Sequence, residues 1–144
     1  MQISPKIFTA ALVLGLAGAA LAQNGLPPVR TFGGVSYVTG GIGLDESTAI
    51  KAAETDFSLS LTFAATKRGE YLSDVKVSIK DKAGKTVLEA VSDGPMLLAR
   101  LPAGVYRISA EHGGNALAKT VRVEPKGVTR AAFVWKAAEK AIID

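Results

Sequence analysis

Few side chains here could do chemistry. The chain has 144 residues, one His and no Cys. Without Cys there is no disulfide framework, no thiolate metal site and no thiol nucleophile. His112 ends an alternating run, in phase with Tyr106, Ile108 and Ala110 and next to Gly113. A catalytic zinc usually takes three protein ligands, and Glu111 points to the other face of the same run. His112 therefore reads as a strand-end residue. A serine nucleophile needs a base, and no G-x-S-x-G elbow is present. Gly40, Gly41 and Gly43 could cradle a phosphate, but Asp45 and Glu46 stand where the anion would sit and the Walker lysine is missing. Acid pairs such as Asp45 with Glu46, or Asp74 with Asp81, could serve glycoside hydrolysis, yet nothing raises them above other surface acids. No cofactor and no metal is expected.

The elements around these residues begin with a targeting pattern. Lys6 precedes an apolar run from Ile7 to Ala20, and Ala20-Leu21-Ala22 gives a small-x-small cleavage site. The run is short of the roughly 20 residues of a membrane-spanning helix. These are the parts of a secretory signal peptide over residues 1–22, so the expectation is a periplasmic or secreted chain starting at Gln23. Membrane contact is expected only through that segment. At 48% hydrophobic the chain is too apolar for disorder. Its formal net charge of +4 is spread along the sequence. The densest basic set, Lys76, Lys80, Lys82 and Lys85, alternates with apolar residues near a turn and reads as a solvated strand face. No nucleic-acid partner is expected.

Residues 23–44 hold six Gly and two Pro and read as a leader, with Val35 to Val38 as a candidate short strand. Residues 45–54 read as a short helix, with Asp45 as N-cap and Ala49, Ile50 and Ala53 as its apolar stripe. From Phe57 the period changes to two. Phe57, Leu59, Leu61 and Phe63 alternate with polar or small residues, as do Val75, Val77 and Ile79. Turns at Asp81–Lys85, Asp93–Pro95, Pro102–Gly104, Gly113–Asn115 and Pro125–Gly127 separate further short strands, the last running from Val128 to Trp135. Residues 136–144 form a tail. Seven short strands over residues 55–135 predict an all-β, antiparallel seven-stranded β-sandwich, with a short N-terminal helix after the Gly-rich leader.

One stretch is more specific. Gly84 sits in a D-x-x-G hairpin, Gly94 and Pro95 form the next turn, and Leu101, Pro102, Gly104 and Tyr106 complete an L-P-x-G-x-Y turn that enters a strand. This resembles the carboxypeptidase regulatory-like family, a transthyretin-like (prealbumin-like) β-sandwich found in small secreted bacterial proteins. The resemblance implies a fold and does not imply peptidase activity. Transthyretin relatives that hydrolyse 5-hydroxyisourate use several His and a C-terminal Tyr-Arg-Gly-Ser motif, and this chain has neither. Pro102 presets the turn, and Tyr106 can return its hydroxyl to an upstream backbone group, as tyrosine corners do.

The expected function is a non-catalytic binding or structural module of the cell envelope with a protein partner. The strand edge at Lys76 to Lys85 and the Gly-rich leader are its candidate contacts. A carbohydrate or peptidoglycan-binding module is the alternative, resting on Tyr37, Tyr71 and the turn at Pro95. An unrecognised hydrolase is the third reading. Tyr37, Tyr71, Lys76 and Lys80 are thus the candidate binding residues.

Overall fold

A computed structural model describes residues 25–66 and 71–136. The signal-peptide reading of residues 1–22, and the tail beyond Lys136, lie outside the described residues. The elements are β1 (Arg30–Phe32), β2 (Val35–Gly40), α1 (Leu44–Ala53), a 3-10 turn (Glu54–Asp56), β3 (Leu59–Ala65), β4 (Lys76–Asp81), β5 (Thr86–Val91), β6 (Met96–Ala99), β7 (Gly104–His112), β8 (Asn115–Val123) and β9 (Thr129–Trp135). They form two sheets, β1-β2-β6-β3-β9 and β5-β4-β7-β8.

The two-sheet sandwich agrees with the alternation read from the sequence, but it has nine strands rather than seven. The two additional strands, β1 and β2, both come from the Gly-rich segment, and β2 extends the candidate strand at Val35 to Val38. β2 escapes a period-two reading because it is buried on both faces: Tyr37 enters the core between the sheets, whereas Val38 faces the helix. The sandwich is also not purely antiparallel. β3 pairs antiparallel with β6 and parallel with β9, from Leu59↔Thr129 to Ala65↔Trp135.

Leu59, Leu61 and Phe63 of β3 meet Val77, Ile79, Leu88 and Ile108 of the opposite sheet in the main core, each 2% exposed or less. Phe63, Phe133 and Trp135 cluster within it, with ring centroids 6.1–6.4 Å apart. A second, smaller core lies on the outer side of the five-stranded sheet. There Ile50 docks α1 on Val38, Met96 and Leu98, joined by Phe57. Such a short helix needs this docking to persist. Phe57 was expected in line with Leu59, but the 3-10 turn before it rotates the backbone and sends its ring under the helix instead.

The helix begins differently from its expected form. Gly43, not Asp45, is the N-cap, at φ 87° with no side-chain cap, and Asp45 falls in the first turn. There its charge still favours the positive end of the helix dipole.

The turns carry the signature residues. Gly84 closes the β4–β5 hairpin at φ 87°, where Asp81 Oδ1 accepts from Ala83 N at 3.0 Å and Lys85 N at 2.9 Å. Gly94 packs so closely on the Gly40 backbone that a Cβ would collide with it. Thr39 Oγ1 fixes the same turn, donating to the Met96 carbonyl at 3.1 Å and accepting from Asp93 N at 3.0 Å. Leu101 is buried, and Ser58 Oγ binds its backbone on both sides, accepting from Leu101 N at 2.8 Å and donating to its carbonyl at 2.9 Å. Tyr106 donates its hydroxyl to the Pro102 carbonyl at 2.7 Å, closing the corner over Gly104.

Burial, reinforced by the Asp81 charge, holds the Tyr106 phenol above its ordinary value of 10. A raised phenol stabilises the fold below the unfolded value, and that contribution is lost as pH climbs through the folded one. Tyr106→Phe should lower the unfolding free energy at neutral pH by about 1 kcal/mol, the net value of one hydrogen bond. It should also flatten the decline in stability above pH 10, read by denaturant titrations at several pH values.

Candidate functional site

A groove of about 280 Å³ opens on the outer side of the five-stranded sheet, beside the start of α1. Register explains its floor. Met96 lies across from Thr62 and beside Gly40. Beyond Pro95 the place next to β3 passes to another segment: Pro95 O accepts from Phe63 N at 2.9 Å, Leu72 N donates to Phe63 O at 3.2 Å, and Tyr71 bridges Ala64. Tyr71 is thereby brought alongside Met96 and Pro95 although it lies about a quarter-century of residues upstream of them in no shared element.

Gly41 and Gly43 form the wall toward the helix, with Ser47 and Lys51 from α1 above them. A side chain at Gly41 would reach within 3.1 Å of Met96 Cγ, so its absence keeps the floor open. Two backbone donors of this Gly-rich loop are already occupied. Glu46 Oε1 accepts from Gly41 N at 2.8 Å and from Ile42 N at 3.3 Å. The loop thus carries its own carboxylate where a phosphate would have to sit. Ser47 Oγ is likewise engaged, donating to the Leu44 carbonyl at 3.1 Å.

The remaining polar groups of the lining are the Thr62 and Tyr71 hydroxyls and the Lys51 ammonium. Among the described residues no carboxylate or imidazole lines the groove. Apolar surface continues around it. Tyr71 is 72% exposed, and Ile42 and Leu44, which flank Gly43, are 62% and 80% exposed. Val134 is also exposed and stands across from Ala64, the residue that bridges Tyr71. Exposed side chains of this size are ordinary singly; gathered around one concavity they mark a contact surface.

The other sequence candidates are dispersed. Tyr37 is buried in the main core, because β2 is an interior strand of its sheet, and it offers no ring to a ligand. Lys76 and Lys80 are exposed on β4, but β4 is paired on both sides by β5 and β7 and is not an edge. Their side chains instead stand on the outer face of the four-stranded sheet. That face holds a second concavity of about 400 Å³, lined by Lys76, Ser78, Glu89, Val91, Ser109 and Glu111. His112 packs edge-on against Trp135 with centroids 5.9 Å apart, and its Nδ1 has no hydrogen-bond partner among the described residues. Among the described residues no three metal-binding side chains gather.

Sequence reasoning found Tyr71 and Pro95 but missed Thr62, Met96 and Lys51 as their neighbours. Thr62 and Met96 read as ordinary strand positions, and only the β3–β6 register reveals that they share one patch. It also missed an S-x-x-K spacing, Ser73 to Lys76. That spacing runs from a loop into β4 rather than along a helix, where three residues would bring hydroxyl and amine to one face.

No protein-family model matches the chain. No curated protein matches it either. Among solved structures, it resembles the 5-hydroxyisourate hydrolase of Klebsiella pneumoniae, at 18% identity and a TM-score of 0.46, over 56% of this chain and 90% of that one.

The site's construction sets its response to substitution. Tyr71→Ala removes a mostly exposed ring and should change stability by less than about 0.5 kcal/mol. Glu46→Ala strips two backbone donors of a charged acceptor and should cost about 1.5–3 kcal/mol. Thermal or denaturant unfolding of the two variants beside the wild type checks both values.

Proposed function

We propose that the chain is an exported, non-catalytic binding module, a divergent transthyretin-like sandwich of the carboxypeptidase regulatory-like kind. The kinship rests on the Leu101–Tyr106 turn with its hydroxyl-to-carbonyl closure and on the D-x-x-G hairpin at Gly84. Export rests on the charged start, short apolar run and small-x-small exit before Gln23. A terminal peptide beginning at Gln23, found by mass spectrometry of protein recovered outside the cytoplasm, is the expected product. A chain retaining residues 1–22 at its functional location would overturn this reading.

The partner is a protein of the cell envelope, and the observation that carries this is the groove. Tyr71, Met96 and Pro95 form an apolar recess ringed by Ile42 and Leu44, the kind of surface that receives an apolar side chain of a partner. Lys51 at the rim supplies one orienting charge. A glycan is the less supported occupant. Sugar recognition needs several convergent polar acceptors, and among the described residues this lining holds no carboxylate or side-chain amide.

Photo-crosslinking at position 71 tests the reading. A benzoylphenylalanine placed there should give one dominant protein adduct in intact cells. The same probe at Lys82, in the turn at the far end of the sandwich, should not. Thr62→Arg, which fills the groove, should remove the adduct while leaving the protein folded. Equal labelling at both positions, or adducts indifferent to Thr62→Arg, would overturn the groove as the contact; recovery of wall fragments alone would replace the protein partner with a glycan.

A further inference from the structure

The unmatched positive charge of the four-stranded sheet is gathered at one end, whereas at the other Lys76 stands across from Glu111 and near Glu89. Register puts Lys80 directly across from Arg107. Arg107 in turn pairs with Thr120, and Arg122 follows two residues on, on the same face. All three are exposed, while Ile79, Tyr106, Ile108 and Val123 beside them point inward. The β4–β5 turn adds Lys82 and Lys85, and the turn after β8 adds Lys126. Against these six cations that end of the sheet has Asp81 and Glu124. The Asp81 carboxylate is committed to backbone donors of its own turn. The ion pairs among the described residues use other side chains, Arg30 with Asp93 and, at this same end but on the other sheet, Arg130 with Glu54.

Like charges directly across a strand pair weaken a sheet. Lys80 opposite Arg107, with Arg122 diagonal to it, is therefore an arrangement the fold bears without benefit to itself. Its shape narrows what could supply the missing negative charge. The cations come from the ends of three adjacent strands and from two turns, so they form a rim about 15 Å across at the ~4.8 Å strand spacing. The large apolar side chains that are exposed, Val29, Ile42, Leu44, Tyr71, Val91 and Val134, all lie away from that end. The rim thus offers no aromatic platform on which nucleic-acid bases could stack.

We propose that this rim, the charged end of the outer face of the four-stranded sheet, docks the chain on the phosphate headgroups of an anionic phospholipid surface. A planar array of exposed cations without an inserting apolar residue matches a planar array of phosphates, each basic residue near such a surface contributing about 1 kcal/mol. This goes beyond the partner classes expected from the sequence, where membrane contact ended with the N-terminal segment. It also stands apart from the groove, which opens at the opposite end of the sandwich, where β2 ends and β6 begins.

The test is flotation of the full chain with vesicles, comparing wild type with the K80Q/R107Q/R122Q variant. The variant keeps Lys6 and the apolar N-terminal run, so its difference from the wild type on phosphatidylglycerol and on pure phosphatidylcholine vesicles isolates the contribution of the rim. The wild type should prefer phosphatidylglycerol, and the preference should fade as salt rises from 50 to 300 mM. The variant should bind phosphatidylglycerol on the order of 100-fold more weakly, with phosphatidylcholine binding unchanged. It should melt no lower than wild type, because the opposed charges are gone. E89Q/E111Q, at the other end of the same face, should leave the preference intact. A wild type without preference for phosphatidylglycerol, or a variant that keeps it, overturns the proposal. So does binding to soluble polyphosphate that survives where vesicle binding fails, since the ligand would then be a polymer and not a surface.

Discussion

The fold depends on β3 being buried on both faces. Leu59, Leu61 and Phe63 point into the space between the sheets, and Ser60, 3% exposed, points the other way under the helical layer. The strand is also paired along both edges, antiparallel to β6 and parallel to β9. From Leu59 to Leu61 nothing in this strand is left to solvent, so the elements around it must be present for it to form. β9 brings Phe133 and Trp135 to Phe63, and α1 brings Ile50 to Val38, Met96 and Leu98. Arg130 of β9 then ties down the 3-10 turn by holding Glu54 at 2.8 Å. That hydrogen bond keeps the Glu54 carboxyl below its ordinary range.

The same logic explains the groove. β6 covers β3 only as far as Pro95, because the Ser92–Pro95 turn is locked in place. Thr39 holds the Met96 carbonyl and Asp93 N, the fully buried Ser92 Oγ accepts from Val75 N at 3.0 Å, and Gly94 rests on the Gly40 backbone. Past that point a different segment, carrying Tyr71, must satisfy the edge of β3. The discontinuity between β6 and Tyr71 leaves a recess that neither segment fills. Gly41 then declines to fill it from the third side.

The parts of this that the sequence makes legible are those encoded by local pattern. The seven downstream strands follow from period-two alternation and turn residues, and the Tyr106 corner follows from Pro102, Gly104 and a four-residue span. β1 is not legible, and β2 is legible only as the candidate stretch Val35 to Val38, outside the seven strands of the expected sandwich. One is three residues long, and the other has no polar face to produce alternation. The parallel β3–β9 pair is not legible either, since strands some 70 residues apart carry no mark of which will be neighbours. The site divides along the same line. Tyr71 and Pro95 stand out as residue types, but Thr62, Met96 and Lys51 become site residues only through register. Lys76 and Lys80 were legible as exposed and misread as an edge, because alternation reveals a strand's faces and says nothing of its position in the sheet.

That misreading bears on how a partner can be held. A strand can be added only where a free, unblocked edge exists. β1, at one edge, is three residues long. β5 has its register broken between Ile79 and Lys80 of its neighbour, a bulge that bends the ladder. β8 is a long edge strand, but its Lys119 turns inward and lays its ammonium over the Phe133 ring, 5.6 Å from the centroid, in the seam toward β9. An inward charge on an edge strand opposes further pairing there. Trp135 Nε1 and Thr129 Oγ1 fasten the same seam by donating to the carbonyls of Asn115 and Arg122. With its edges blunted in this way, the sandwich is built to be met through side chains rather than by backbone addition. The exposed side chains then divide by kind, apolar ones gathered around the groove at one end and unpaired cations along the rim at the other.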